Sequence, residues 1–161
     1  MNTAIPGALL VLAAAAAGLR GFFRRRRQAR ELILAFAAAL GEMESAVRWQ
    51  RTPVLAMLEA METRETCGGW FRRVLDKVEG DVPLQQAWDS VFAEMEDGEL
   101  SALLRRVTWS GDAQRLEGVL GRAGEEAEAL YHGRCQEDSR SGRVTVTAVL
   151  CGAGFIIILL L

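Results

Sequence analysis

Residues 28–48 read QARELILAFAAALGEMESAVR, and the periodicity of this stretch decides the fold class. Phe36, Leu40, Met43 and Val47 recur at steps of four, three and four, the apolar stripe of an α-helix packed against partners. From Leu32 to Leu40 no polar side chain interrupts the run, so the helix is expected to be central and buried on several sides. No stretch nearby alternates at the period of two that a half-buried strand requires.

Upstream lies a cluster of six arginines, Arg20, Arg24, Arg25, Arg26, Arg27 and Arg30, and before it the first 19 residues contain no charged side chain and no His. A second such stretch closes the sequence from 144 to 161, where Thr145, Thr147 and Cys151 are the only polar side chains. At about 1.5 Å per residue, eighteen to twenty residues span roughly 27 to 30 Å, close to the hydrocarbon thickness of a bilayer. Both segments are therefore expected to cross a membrane. A cleaved signal peptide is the alternative for the first, but its positive charge would precede the apolar run rather than follow it. The arginine cluster, with Arg134, Arg140 and Arg143 before the second segment, predicts by the positive-inside rule that the intervening chain is cytoplasmic. The domain reading is an anchor over 1–23, a cytoplasmic helical bundle over 24–143 and a second anchor over 144–161. Ala14 with Gly18, and Ala148 with Gly152, have the small-residue spacing of close membrane helix contacts.

Downstream of the central helix, the pattern predicts five more short helices. Thr52 and Pro53 read as a helix start, the hydroxyl capping an early amide and the proline occupying the first helical position. Val54, Leu58 and Met61 form that helix's apolar side. Gly68 and Gly69 read as a turn before a helix carrying Phe71, Val74, Leu75 and Val78, which stops near Gly80. Pro83 opens the next, with Leu84, Trp88, Val91 and Met95 in a stripe, and Gly98 breaks it. Leu100, Leu103, Leu104 and Val107 mark a fifth helix, and Leu116 through Leu130 a last one reaching about Arg134. The expected fold class is all-α: an antiparallel bundle of about six short helices flanked by N- and C-terminal transmembrane helices. The four tryptophans, Trp49, Trp70, Trp88 and Trp109, are expected mostly in the core, an exposed one marking a docking surface instead.

Charge and motifs exclude several function classes. Of nineteen basic side chains six lie in 20–30, which leaves thirteen against twenty-one acidic ones, or −8, for the rest of the chain. Nucleic-acid binding needs a basic face and is set aside; the arginine cluster is read as a membrane-surface anchor on anionic lipid. Lys77, the only lysine, follows no glycine-rich turn, so no phosphate loop is present. His132 and Cys135 share a helical face but have no second pair to complete a metal site, and Cys67, Cys135 and Cys151 show no CxxC spacing. Glu125, Glu126 and Glu128 read as a solvated helix face. No enzyme activity, cofactor or metal is expected. Arg72, Arg73 and Asp76 are candidate partner contacts, Arg72 and Asp76 being spaced as an intrahelical pair. Thr52, Pro53, Pro83 and Trp88 are read as structural cap, turn and core residues.

Several of these motifs carry a family likeness. The run from Arg30 through Glu42–Arg48 to Arg51-Thr52-Pro53-Val54 resembles stage III sporulation protein AB, as do Trp70-Phe71-Arg72-Arg73, Pro83-Leu84, Ala87-Trp88 and the apolar ending with Gly152 and Gly154. The segment Thr108-Trp109-Ser110-Gly111-Asp112-Ala113-Gln114 departs from that family's Gly-Leu-Gly turn. The resemblance implies a sporulation channel component in the mother-cell membrane facing the forespore, similar to inner-membrane platform proteins of type II secretion and type IV pilus systems. Its implied partners are a cytoplasmic AA-type ATPase, other channel proteins and membrane lipid, with self-association into a homo-oligomer also allowed. A double-anchored adaptor or regulator unrelated to secretion is the alternative.

Overall fold

A computed structural model describes the chain from Ala4 to Leu160, with side chains described for residues 13–139 and for 147, 148, 151 and 152. Among the described residues the protein is all-α, with six α-helices and no strand. They are α1 (Ala4–Ser45), α2 (Val54–Glu62), α3 (Gly68–Glu79), α4 (Leu84–Phe92), α5 (Gly98–Arg105) and α6 (Ala113–Leu160), with a π-helical turn, Ala46–Gln50, after α1. The expectation of six short helices is corrected. Four are short, of 8 to 12 residues, but α1 and α6 have 42 and 48. No proline interrupts α6 after 113, and it continues past Arg134.

The chain divides into two compact units, Ala29–His132 and Met1–Gln28 with Gly133–Leu161. In Ala29–His132 the stripe Phe36, Leu40, Met43 and Val47 is buried, as its period predicts. Phe36 meets Phe71 and Phe92 with ring centroids 5.7 and 5.6 Å apart, and Trp88 packs on Phe92 at 4.4 Å. These offset and edge-on contacts join α1, α3 and α4 around one aromatic centre. Trp88 is fully buried, and its indole N–H donates to the Leu104 carbonyl on α5 at 2.8 Å, so the polar edge of a core ring is satisfied. Ser101 likewise donates to the Phe92 carbonyl at 2.7 Å.

Loop chemistry corrects two of the expected assignments. Gly68 and Gly69 open α3 rather than forming a turn, because α2 and α3 approach so closely that a Cβ at Gly68 would collide with the Glu62 carbonyl. Thr52 is not the cap of α2. Pro53, extended at ψ 144°, holds the cap position and accepts the Met57 amide at 3.1 Å, while the Thr52 hydroxyl turns to Gln50 Oε1 at 3.4 Å. Pro83 stands in the same position before α4, its carbonyl accepting from the Ala87 amide at 2.9 Å. The side-chain cap lies elsewhere, at Asp97, whose carboxylate accepts from the amides of Glu99 and Leu100 at 3.1 and 3.2 Å.

The connector before α6 is tied to α4. Gln85 donates to the Val107 carbonyl at 3.2 Å and accepts from the Trp109 amide at 3.0 Å, and the Trp109 ring stands edge-on to Trp88 at 4.7 Å. On α6, Gly124 faces α1, where an added Cβ would touch Leu40 Cβ, the Ala37 carbonyl and the Gly41 amide at 3.7 to 3.8 Å. That glycine marks a close approach of two helices.

In the terminal unit, Arg26 pairs with Asp138 at 2.6 Å and lies over the Phe22 ring at 4.4 Å. Among the described residues no helix is long and apolar enough to cross a membrane. Of the two segments assigned to a bilayer from sequence, residues 4–12 of the first and 144–146, 149–150 and 153–161 of the second lie outside the described side chains. Ala14, Gly18, Ala148 and Gly152 are exposed, and a Cβ added at Gly18 or Gly152 would meet nothing within 4 Å. Among the described residues no close helix contact is made by these small residues.

Candidate interaction surface

Where α1 ends, the backbone widens into the π-helical turn, and this turn carries the most exposed large apolar residue described. Val47 keeps to the buried stripe. Trp49, two residues on and so on the opposite side of the turn, points out and is 78% exposed. The expectation that tryptophans fill the core fails at this residue and holds fully at Trp88; Trp70 and Trp109 are half-buried. Its helical phase relative to Val47 was the sequence signal that could have singled it out. After the connector Arg51–Pro53, Leu55 on α2 is 45% exposed.

Charge frames this corner. Arg48 reaches Glu117 on α6 at 3.2 Å and Glu44, one turn back, at 4.0 Å, and its guanidinium lies 5.6 Å from the Trp49 ring centre. Arg51 is exposed and takes the left-handed conformation at φ 50°, its amide closing onto the Ala46 carbonyl. A non-glycine residue there costs on the order of 1 kcal/mol or more. No ion-pair partner of Arg51 occurs among the described residues.

The α3 contacts proposed from sequence are engaged within the fold. Arg72 pairs with Glu62 on α2 at 2.9 Å rather than with Asp76, because the tight α2–α3 turn brings that carboxylate within reach. Arg73 pairs with Glu94 and covers the Trp70 ring at 5.1 Å; Lys77 reaches Glu94 at 3.8 Å and Ser90 at 2.9 Å. Asp76 is exposed. These side chains tie α2, α3 and the end of α4 together at the surface.

A family model of stage III sporulation protein AB matches residues 4–161. The chain belongs to that family. No curated protein and no solved structure matches it. The match to the sporulation AB family spans the connector 108–114. In this family member the arginine cluster is divided: Arg20, Arg24, Arg25 and Arg27 are exposed, Arg26 faces Asp138 and Arg30 is half-buried. Glu126 receives Arg106 at 3.3 Å, while Glu125, Glu128 and His132 are exposed.

Cys67 directly precedes the Gly68-Gly69 pair that reads as a turn, a place where a cysteine would be accessible. It is instead fully buried, its thiol 3.7 Å from the Ala35 carbonyl, and burial pushes its pKa up despite the opposing charge of Arg64. Its labelling therefore cannot report which side of a membrane the unit occupies.

Proposed function

We propose that this stage III sporulation protein is a non-enzymatic membrane platform within a channel between mother cell and forespore. Two apolar segments, 4–23 and 144–161, anchor it, and the unit Ala29–His132 stands in the mother-cell cytoplasm, where it couples an AA-type ATPase to the membrane complex. The family match over 4–161 carries this reading. The order of charge along the chain supports the topology, since the arginines follow the first apolar segment and precede the second. Exposed Arg20, Arg24, Arg25 and Arg27 are suited to anionic headgroups at the inner face.

Topology is tested with Glu65→Cys, an exposed position in the α2–α3 turn, in a chain also carrying Cys135→Ser and Cys151→Ser. In intact cells an impermeant maleimide should leave this cysteine unlabelled until the membrane is opened. Labelling from outside would overturn the topology. Co-purification of the cognate ATPase with the full chain from sporulating cells tests the coupling, and its absence with both proteins expressed would remove the platform role.

A further inference from the structure

We infer that Arg26 stands apart from the lipid-facing arginines and, with Asp138, forms the lock that pairs the two apolar segments in register. For the medium around those segments this rests on the membrane anchoring proposed above, and it adds what holds them together.

Two observations within the terminal unit support the lock. Arg26 Nη1 donates to Asp138 Oδ1 at 2.6 Å across 112 positions of chain, and the Phe22 ring centre lies 4.4 Å from the guanidinium carbon. The two side chains are 36% and 22% exposed, so this charge-assisted bond, flanked by a ring, is screened less than an open surface pair. Exposure along the helices agrees. Ala15, Leu19 and Arg26 are half-buried at spacings of four and seven, one face of α1, whereas Arg20, Arg24 and Arg25 lie off that face and are exposed. On α6, Arg134, Cys135 and Asp138 are half-buried at the matching spacing of three and four.

The position of the pair sets the register. Residues 1–28 and 133–161 make one compact unit, so the two stretches extend from the pair side by side and antiparallel. Arg20 and Arg143, the charges that border the apolar stretches, stand six residues before Arg26 and five after Asp138 in the sequence. At about 1.5 Å per residue the two borders differ in level by about 1.5 Å, so one ion pair aligns both segments with the same face of a bilayer.

The test reads the distance between spin labels at Ala16→Cys and Ala148→Cys, both exposed positions, in the full chain carrying Cys135→Ser and Cys151→Ser in lipid nanodiscs. With the lock intact the labels should give one short, narrow distance. Arg26→Asp should lower the ratio of paired to unpaired chains by about 5-fold or more, and Arg26→Asp combined with Asp138→Arg should restore it. Asp138→Asn, with an unchanged melting curve, separates lost pairing from lost folding. In the unlabelled chain, the rise in melting temperature from zwitterionic to anionic nanodiscs should shrink in Arg24→Gln with Arg25→Gln and persist in Arg26→Gln. A broad distance with the lock intact, or a short one that Arg26→Asp and Asp138→Asn leave unchanged, overturns the lock. So does an anionic-lipid effect abolished by Arg26→Gln, which gives that residue to headgroups. Labels relaxed by an aqueous nickel complex rather than by oxygen overturn the membrane anchoring instead, and a distance that the charge swap still restores leaves the lock standing.

Discussion

Gly68 and Gly124 are both helical glycines beside another helix, yet the structure gives them opposite expected responses to alanine. At Gly68 the added carbon would meet backbone, the Glu62 carbonyl, which cannot swing aside. Gly68→Ala is expected to lower stability by about 1 to 3 kcal/mol, as overpacking does, measured by urea denaturation in detergent. At Gly124 the nearest atoms stand 3.7 to 3.8 Å away, ordinary contact, so Gly124→Ala should raise stability by up to about 1 kcal/mol through helix propensity. Cys67 adds a pH dependence. Because burial raises the folded thiol's pKa, the native state holds this proton more tightly than the unfolded chain. The stability it contributes is complete below the unfolded thiol value of about 8.5 and is lost as pH rises through the folded value. The denaturation midpoint should therefore fall between about pH 7.5 and pH 9.5, and fall less in Cys67→Ala.

Helix starts are the level at which local chemistry and tertiary context compete. Asp97 makes two bonds to exposed or part-buried amides, so Asp97→Ala should cost about 1 kcal/mol and weaken α5. Thr52 makes none to α2, and Thr52→Ala should stay within about 0.5 kcal/mol; thermal melts of the two variants side by side check the ranking. The Thr-Pro pair was legible as a helix start, and α2 does begin there. What could not be read was which residue caps it, because the π-helical turn before Arg51 sets where the hydroxyl points. The same limit applies to Arg72. Intrahelical spacing named Asp76 as its partner, but the turn built on Gly68 supplies Glu62 instead, and only the packed pair of helices reveals that.

For the whole molecule, the prediction that matters most is the one that tests the proposed topology of Ala29–His132. Glu65→Cys should react with an impermeant reagent only after the cells are opened, whereas native Cys67 should react slowly even then because it is sealed in the core. Unfolding in urea should make Cys67 fully reactive, which a mass-shift assay would read directly. Surface pairs such as Arg72 with Glu62 contribute at most about 1 kcal/mol each, so the unit depends mainly on its aromatic centre around Trp88 and Phe92. Charge patterning, by contrast, bears on topology and partner choice rather than on the fold.

By itself the sequence determined the class of the protein: helical period fixes which face of each segment must leave water, and Phe36, Leu40, Met43 and Val47 are buried for that reason. It also determined family membership and the separation of charged from uncharged segments, both properties of residue order alone. Tertiary structure decided what depends on distances between segments far apart in the chain. Those distances bury Cys67, pair Arg72 with Glu62 and make Gly68 a point of contact. Trp88 fills the core because α4 and α5 close around it, whereas Trp49, out of phase with the buried Val47, stays in water.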